Sequence, residues 1–150
     1  MNETVQSLLS LFDRDMDRLK VEIEAYEKEE NLWKLSGDIN NTAGNLCLHL
    51  CGNLQYFIGA VIGNSGYERK RDDEFGLKNI PRIDLIEQIN ISKEAVGLAL
   101  KSFDSNLLEE TYPIEVFGKP MSYSFFLIHL NGHLNYHLGQ INYHRRLLEP

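Results

Sequence analysis

The sequence has few cysteines, only two in 150 residues, and neither suits a disulfide. Cys47 and Cys51 lie four residues apart inside an apolar helical pattern, which is unfavourable geometry for a bridge. We therefore expect both to be small buried core residues. A zinc site in the stretch CLHLC is also disfavoured, because His49 would point to the far side of the helix from both cysteines.

Basic residues are scarce as well. The chain carries 15 Lys and Arg residues against 22 Asp and Glu residues, which gives a formal net charge of −7. Nucleic-acid affinity comes mainly from clustered Lys and Arg side chains that release counterions from the phosphates. We therefore predict no nucleic-acid partner.

No long hydrophobic run is present. The most apolar segment, LQYFIGAVIG, has ten residues, whereas a membrane-spanning helix needs about 20. The N-terminal stretch MNETVQSLLSLFDRDMDRLK has no basic start and carries acidic residues from Glu3 onward, which is unlike a signal peptide. We therefore predict a soluble, cytoplasmic protein with no membrane partner.

The remaining composition fits one globular domain over residues 1–150. Apolar residues make up 43% of the chain, and a chain of this length buries about two-thirds of its surface on folding. Apolar residues recur at steps of three and four in four segments, which predicts an all-α fold. The predicted helices cover, to within a few residues at each end, about 3–30, 41–63, 82–103 and 122–148.

Four long helices without alternating strands predict a four-helix bundle. Ser122 is a suitable N-cap for the last helix. The segment 63–81 is rich in glycine and charge, and the segment 104–120 is a second long connection, so both are predicted loops. Connections of this length allow crossovers instead of a simple up-and-down topology.

Four of the five histidines lie in the stretch HLNGHLNYHLGQINYH, residues 129–144. On a helical wheel one sector of about 80° contains these histidines and one amide, namely His129, His133, His137, Gln140 and His144. The nearly opposite side, which we expect to face solvent, contains Asn131, Asn135 and Asn142. The histidine sector is therefore expected to face the interior or its edge.

A metal ion would explain the histidine sector. Buried imidazole nitrogens need polar partners, and four such rings are hard to satisfy by chance. Histidines four residues apart on a helix can bind one ion. On the apolar second helix, His49 forms a polar line with Asn45 and Asn53, which lie four residues before and after it. A bundle can bring this line against the histidine sector. The alternative is that His49 is a core histidine bonded to a backbone carbonyl.

These residues resemble the DinB/YfiT-like family of four-helix proteins over essentially the whole chain. The family pattern has one histidine in the second helix and a His-x-x-x-His in the last, often followed by x-Gly-Gln, as in HLNYHLGQI here. The stretch HLCGNLQYFIGAVIGNSGYERKRDDEF is similar to one branch of the family, in which a His-Leu-x-Gly-Asn-Leu helix leads to an Arg-x-Arg-Asp-x-Glu-Phe loop. Tyr136 stands where many relatives have a further histidine.

The resemblance implies a DinB-like four-helix bundle with crossover connections, a homodimer, and one divalent ion per chain, zinc or nickel. His49, His133 and His137 would be the ligands. The family includes S-transferases that use a low-molecular-weight thiol as cosubstrate, which is the primary expectation for this chain. The alternatives are a metal-dependent hydrolase and a non-catalytic bundle that binds a metal or small ligand.

Roles near the ion are also predicted for other polar residues. Gln140 and Asn53 are expected to orient ligand rings. His129 is expected to be a proton shuttle, another residue that supports a ligand ring, or a further buried histidine with a backbone partner. Arg69, Arg71 and Asp72 would gate the pocket or hold an anionic substrate, although the favoured interpretation is a solvated charged loop. No general acid or base is predicted.

Overall fold

The computed structural model describes residues 1–150 and is all-helical, which confirms the predicted fold class. No strand is present, and the only β-type pairing is an isolated bridge between Thr111 and Ser122. Two 3₁₀ turns supplement the α-helices at Glu29–Trp33 and Ser105–Leu107. The five α-helices are α1 (Glu3–Ala25), α2 (Ala43–Leu54), α3 (Arg71–Gly76), α4 (Arg82–Lys101) and α5 (Tyr123–Leu148).

Side-chain caps fix where the helices that form the site begin. The Thr42 hydroxyl accepts a hydrogen bond from the backbone amide of Asn45 and starts α2. The Ser122 hydroxyl accepts from the amide of Phe125 and starts α5, as the sequence predicts. Each cap satisfies one of the amides that a first helical turn leaves without a partner.

The structure corrects one predicted boundary, one helix type and one predicted loop. The first helix ends at Ala25, because Tyr26 takes an extended conformation, with φ −62° and ψ 121°. The second helix continues beyond Leu54 as a π-helical segment, Gln55–Ala60. The predicted loop 63–81 contains the short helix α3.

The long helices share one apolar core. The α1 helix packs on α4 and α5, while α2 packs on α3, α4 and α5. Cys47 and Cys51 are buried and unbridged, as expected. The apolar residues that recur at steps of three and four in and just after α1 are buried, namely Leu8, Phe12, Met16, Leu19, Ile23 and Tyr26.

The α2 and α5 helices run antiparallel, and their contact brings the histidines together. His49 contacts His133, while the Phe57 ring lies 5.0 Å from that of Phe126 between centroids. Residue 57 follows residue 49, whereas residue 126 precedes residue 133, so the two chain directions are opposed. The polar line of α2 therefore faces the histidine side of α5.

The asparagine side of α5 does not face solvent, so that prediction was wrong. Asn131 and Asn135 donate hydrogen bonds to Oδ2 of Asp15 on α1, at 3.1 and 2.8 Å. Asn142 donates to Glu22 on the same helix at 2.7 Å. Asp15 is fully buried, and these amides supply the partners that a buried carboxylate requires.

No helix combines the length and the hydrophobicity that crossing a bilayer would require.

Candidate metal centre

Three imidazoles from two helices converge on one point. The Nε2 atom of His133 lies 3.2 Å from Nε2 of His49 and 3.1 Å from Nε2 of His137. The three candidate ligand atoms all lie within 4.8 Å of one another. Two nitrogen ligands of a tetrahedral zinc ion would be about 3.3 Å apart. The triad, defined as His49, His133 and His137, is therefore close enough to hold one metal ion.

Oxygen acceptors behind two of the rings fix their tautomers. Nδ1 of His49 lies 3.0 Å from Oε1 of Glu74, and Nδ1 of His137 lies 2.7 Å from Oε1 of Gln140. A carboxylate or amide oxygen can only accept, so both Nδ1 atoms donate a proton. In the neutral rings both Nε2 atoms then carry a lone pair, and both lone pairs point into the triad.

The triad does not satisfy its own nitrogens. Nε2 of His133 faces two lone pairs and can donate at most one proton, so one of its two contacts lacks a proton. Nδ1 of His133 is buried and has no hydrogen-bond partner. Buried polar atoms without partners are rare in folded proteins. A cation between the three Nε2 atoms would bind all three of their lone pairs, while Nδ1 of His133 would carry the ring proton and still lack an acceptor. The three Nε2 atoms therefore fit a metal ion.

The environment keeps the α5 imidazoles neutral. Burial, reinforced by the neighbouring imidazoles and by Arg69, lowers the pKa of His133 to about 3. Burial also lowers the pKa of His137, against the opposing effect of the hydrogen bond to Gln140. Only a neutral imidazole can bind a metal ion, so both rings are in the binding-competent form at neutral pH.

Glu74 on α3 is the carboxylate that supports the triad. Its side chain is buried, and Arg69 donates from Nε to Oε2 and from Nη2 to Oε1, both at 3.0 Å. Burial acts to raise the pKa of Glu74, but hydrogen bonds from His49 and Arg69 and the charge of Arg69 outweigh it, so the pKa is lowered. Glu74 is therefore ionised and bonded to both neighbours.

Glu74 was not among the residues predicted from the sequence. The segment 63–81 is a predicted loop, and only Arg69, Arg71 and Asp72 were assigned possible roles in it. A signal was present, because Glu74 is the glutamate of the Arg-x-Arg-Asp-x-Glu-Phe pattern. A ligand histidine also commonly donates its second nitrogen to a carboxylate.

The structure brings only one of the three predicted loop residues to the triad. Arg69 reaches it through Glu74, and its Nη2 atom lies 3.5 Å from Nδ1 of His49. The Arg71 guanidinium lies over the ring of Phe75, 5.3 Å from its centroid. Asp72 is exposed and makes no side-chain hydrogen bond or salt bridge, which agrees with the solvated alternative for this residue.

Of the residues that were expected to orient the ligand rings, only Gln140 is hydrogen-bonded to the triad. Gln140 binds His137, as described above. Asn53 is buried, but its side-chain oxygen has no hydrogen-bond partner, and the residue forms no bond to the triad. The exposed His129 ring stacks 6.4 Å from that of His133, and it lies outside the group of potential ligands.

His144 belongs to a separate structural site. Its Nδ1 atom lies 2.6 Å from the hydroxyl of Tyr26, and its Nε2 atom lies 2.7 Å from the carbonyl oxygen of Lys34. Both ring nitrogens therefore have partners without a metal. The histidine sector of α5 thus contains two potential ligands, one exposed ring and one core ring.

Comparisons with known proteins give no family: no protein-family model matches the chain, and no curated protein matches it significantly. The DinB/YfiT-like resemblance stays a prediction. The geometry of the triad is therefore the main observation that bears on function.

Proposed function

We propose that this protein is a DinB-like four-helix metalloprotein that binds one divalent ion per chain, zinc or nickel, through His49, His133 and His137. The observation that carries the proposal is the convergence of three Nε2 atoms, two of which belong to rings whose Nδ1 protons are already bonded to oxygen. Imidazole nitrogen is a ligand that suits both metals.

The architecture supports the DinB-like assignment. The α1, α2, α4 and α5 helices are much longer than α3 and share the core. Long connections precede α4 and α5, as crossovers require. The histidine of the second long helix meets the His-x-x-x-His of the last one, which is the family pattern.

We further propose that the centre is catalytic and uses a small thiol. Three protein ligands leave a coordination position open, which is typical of catalytic and not of structural zinc sites. A bound ion would lower the pKa of a thiol in that position. Glu74, the only carboxylate that contacts the triad, is neutralised by Arg69, so the protein adds no net negative charge that would repel a thiolate.

The same carboxylate argues against the hydrolase alternative. A general base for water must have a free lone pair within reach of the reacting water. Glu74 contacts Nδ1 of His49, on the side of the ring away from the Nε2 atom that faces the triad, so it is not placed to take a proton from a water in the open position. A thiolate needs no such base at the moment of attack. A non-catalytic metal-binding bundle is the remaining rival.

We also propose a homodimer that forms through the outer face of α5. Five large apolar side chains along this face are exposed, and Gly132 and Gly139 lie between them with open space above their Cα atoms. The exposed area of these side chains is about 600 Å² per chain, near the ~800 Å² that each partner buries in an interface of standard size. The five side chains are Phe125, Ile128, Tyr136, Tyr143 and Leu147.

Metal uptake and thiol transfer test the proposal together. Purified protein exposed to zinc or nickel at neutral pH should retain close to one ion per chain, measured by elemental analysis after removal of free metal. The loaded protein should then consume a small thiol and an electrophile faster than chelator-treated protein does. Metal uptake without turnover across several thiols would favour the non-catalytic rival, and no uptake would overturn the metal site itself.

A further inference from the structure

Gly52 leaves a space on α2 that the carboxylate of Glu74 fills. Gly52 follows His49 by three residues, so both lie on the same side of the helix. A Cβ atom built at position 52 would overlap Oε2 of Glu74 and lie 2.6 Å from its carboxyl carbon. Any side chain at this position would therefore displace Glu74 from its present place.

Arg69 also holds the carboxylate of Glu74 in place. Its two hydrogen bonds to Glu74 form a bidentate pair, the strongest geometry between these groups. The guanidinium in turn lies over the ring of Phe57, 5.5 Å from its centroid, and the Arg69 side chain is only 13% exposed. The position of the carboxylate is thus fixed by Arg69 and by the absence of a side chain at Gly52.

The neighbour of Gly52 distinguishes it from other closely packed glycines. Gly44, also on α2, has the ring of Trp33 above it, 2.6 Å from a built Cβ atom. That contact is a packing contact with a core side chain. Gly52 is the only glycine whose nearest neighbour is a charged group, and that group is hydrogen-bonded to a member of the triad.

We propose that Gly52 and Arg69 are positioning residues that set the metal affinity of His49 by holding Glu74 against Nδ1. This inference rests on the proposed metal site. A carboxylate that accepts from Nδ1 fixes the orientation of a ligand ring and raises the basicity of Nε2, and loss of such a partner typically weakens metal binding 10- to 100-fold. The segment that carries Arg69 and Glu74 is thus part of the metal centre.

The test compares two glycine-to-alanine variants in the full chain. Gly52→Ala should weaken zinc binding about 10- to 100-fold, measured by competition with a chromophoric chelator. Gly97→Ala on α4 is the matched control, because a Cβ atom at position 97 has no neighbour within 4 Å. The control should bind zinc as tightly as the unchanged chain, since a Cβ atom fits at position 97 and alanine is favoured over glycine in a helix interior.

A second substitution tests the same contact if the Gly52→Ala variant does not fold. Glu74→Gln keeps the shape of the side chain and removes its charge, and it should weaken zinc binding to a similar extent. The double variant Gly52→Ala/Glu74→Gln should lose little more than either single variant, because both changes act through one carboxylate. Arg69→Gln should reproduce part of the loss.

Metal-free melting temperatures separate positioning from a purely structural role. A structural role would lower the melting temperature of the metal-free variants and leave the zinc-induced increase unchanged. Unchanged zinc affinity in both Gly52→Ala and Glu74→Gln would overturn the inference while leaving the proposed function intact. If the unchanged chain takes up no zinc, the proposed function fails, and the inference fails with it.

Discussion

His133 lies at the centre of the triad and has the least support of the three rings. Its Nε2 atom contacts both other histidines, while its Nδ1 atom is buried without a partner. Burial and the neighbouring imidazoles lower its pKa to about 3. The half-buried ring is therefore kept neutral, which is the form that the proposed metal ion requires.

The lowered pKa of His133 predicts an acid-sensitive metal-free protein. An unfolded histidine has a pKa of about 6.5. Between that value and the folded value of about 3, the unfolded chain binds more protons, so the free energy of unfolding decreases as the pH falls below about 6.5. Denaturant titrations of chelated protein at several pH values measure this slope. His133→Asn should flatten it, and an equal slope in the variant would contradict the assignment.

The buried carboxylate of Asp15 should contribute strongly to stability. The fully buried carboxylate accepts hydrogen bonds from Asn131 and Asn135, so Asp15→Ala would remove an acceptor from each amide and leave Asn135 bonded only to Asn131. We expect a loss of about 3 kcal/mol of stability at pH 7 by denaturant titration. Asp17→Ala on the same helix removes an exposed ion pair with Lys93, and it should cost under about 1 kcal/mol. Equal losses of stability in the two variants would mean that the buried Asp15 network stabilises the fold no more than the exposed ion pair does.

Residue spacing predicted that His133 and His137 lie together, and the family resemblance added His49 to them. Of the two residues that support the triad, Gln140 was predicted and Glu74 was not. His133 and His137 share a helix, so their proximity follows from the i, i+4 spacing alone. Glu74 reaches His49 from 25 residues away in the sequence, and the contact depends on how the segment 63–81 folds. The three acidic residues in the first turn of α3 were the available signal for a helix there, because negative charge stabilises helix N-termini.

The α5 helix has three sides with different neighbours. One faces α2 and carries the triad histidines, a second faces α1 and carries the asparagines, and the outer side carries exposed apolar residues. A helical wheel gives the angle of each side chain but not the neighbour that covers it. Asparagines bonded to the buried Asp15 therefore had the same sequence pattern as asparagines in water, and this ambiguity explains the wrong prediction.

The outer side of α5 predicts the behaviour of the protein in solution. Ile128 is 60% exposed on this face, and Ile128→Glu would place a charge in the proposed dimer interface. Light scattering coupled to size-exclusion chromatography should give a dimer for the unchanged chain and a monomer for the variant. Ile83→Glu on α4, where the side chain is 75% exposed, should remain dimeric. A monomeric unchanged chain at tens of micromolar would contradict the proposal.

The whole fold brings together two potential ligands, His49 and His133, that are 84 residues apart in the sequence. Antiparallel packing of α2 and α5 places His49 opposite the His-x-x-x-His pair. Amphipathic periodicity predicted both helices, but only the assumption of a bundle placed them in contact. The short α3 and the π-helical end of α2 were not predicted, because neither is long enough to give a clear period.

Because the ligands come from two helices, metal binding should stabilise the whole fold. A ligand that binds only the native state at 100 times its Kd adds about 2.7 kcal/mol of stability. Zinc should therefore raise the melting temperature of chelated protein, as measured by circular dichroism. His49→Ala serves as the control and should show little increase. An equal increase in the control would indicate a zinc site elsewhere on the chain.

Metal content across a set of single histidine variants decides whether the triad binds the ion. His49→Ala, His133→Ala and His137→Ala should each lose most of the bound ion, because three ligands become two. His129→Ala should lose much less, since this ring lies outside the triad, and His144→Ala should lose least, since both its nitrogens have protein partners. Elemental analysis of zinc-loaded, gel-filtered protein gives the answer. Retention of the ion by His49→Ala together with its loss from His129→Ala would place the site along α5 alone and contradict the account.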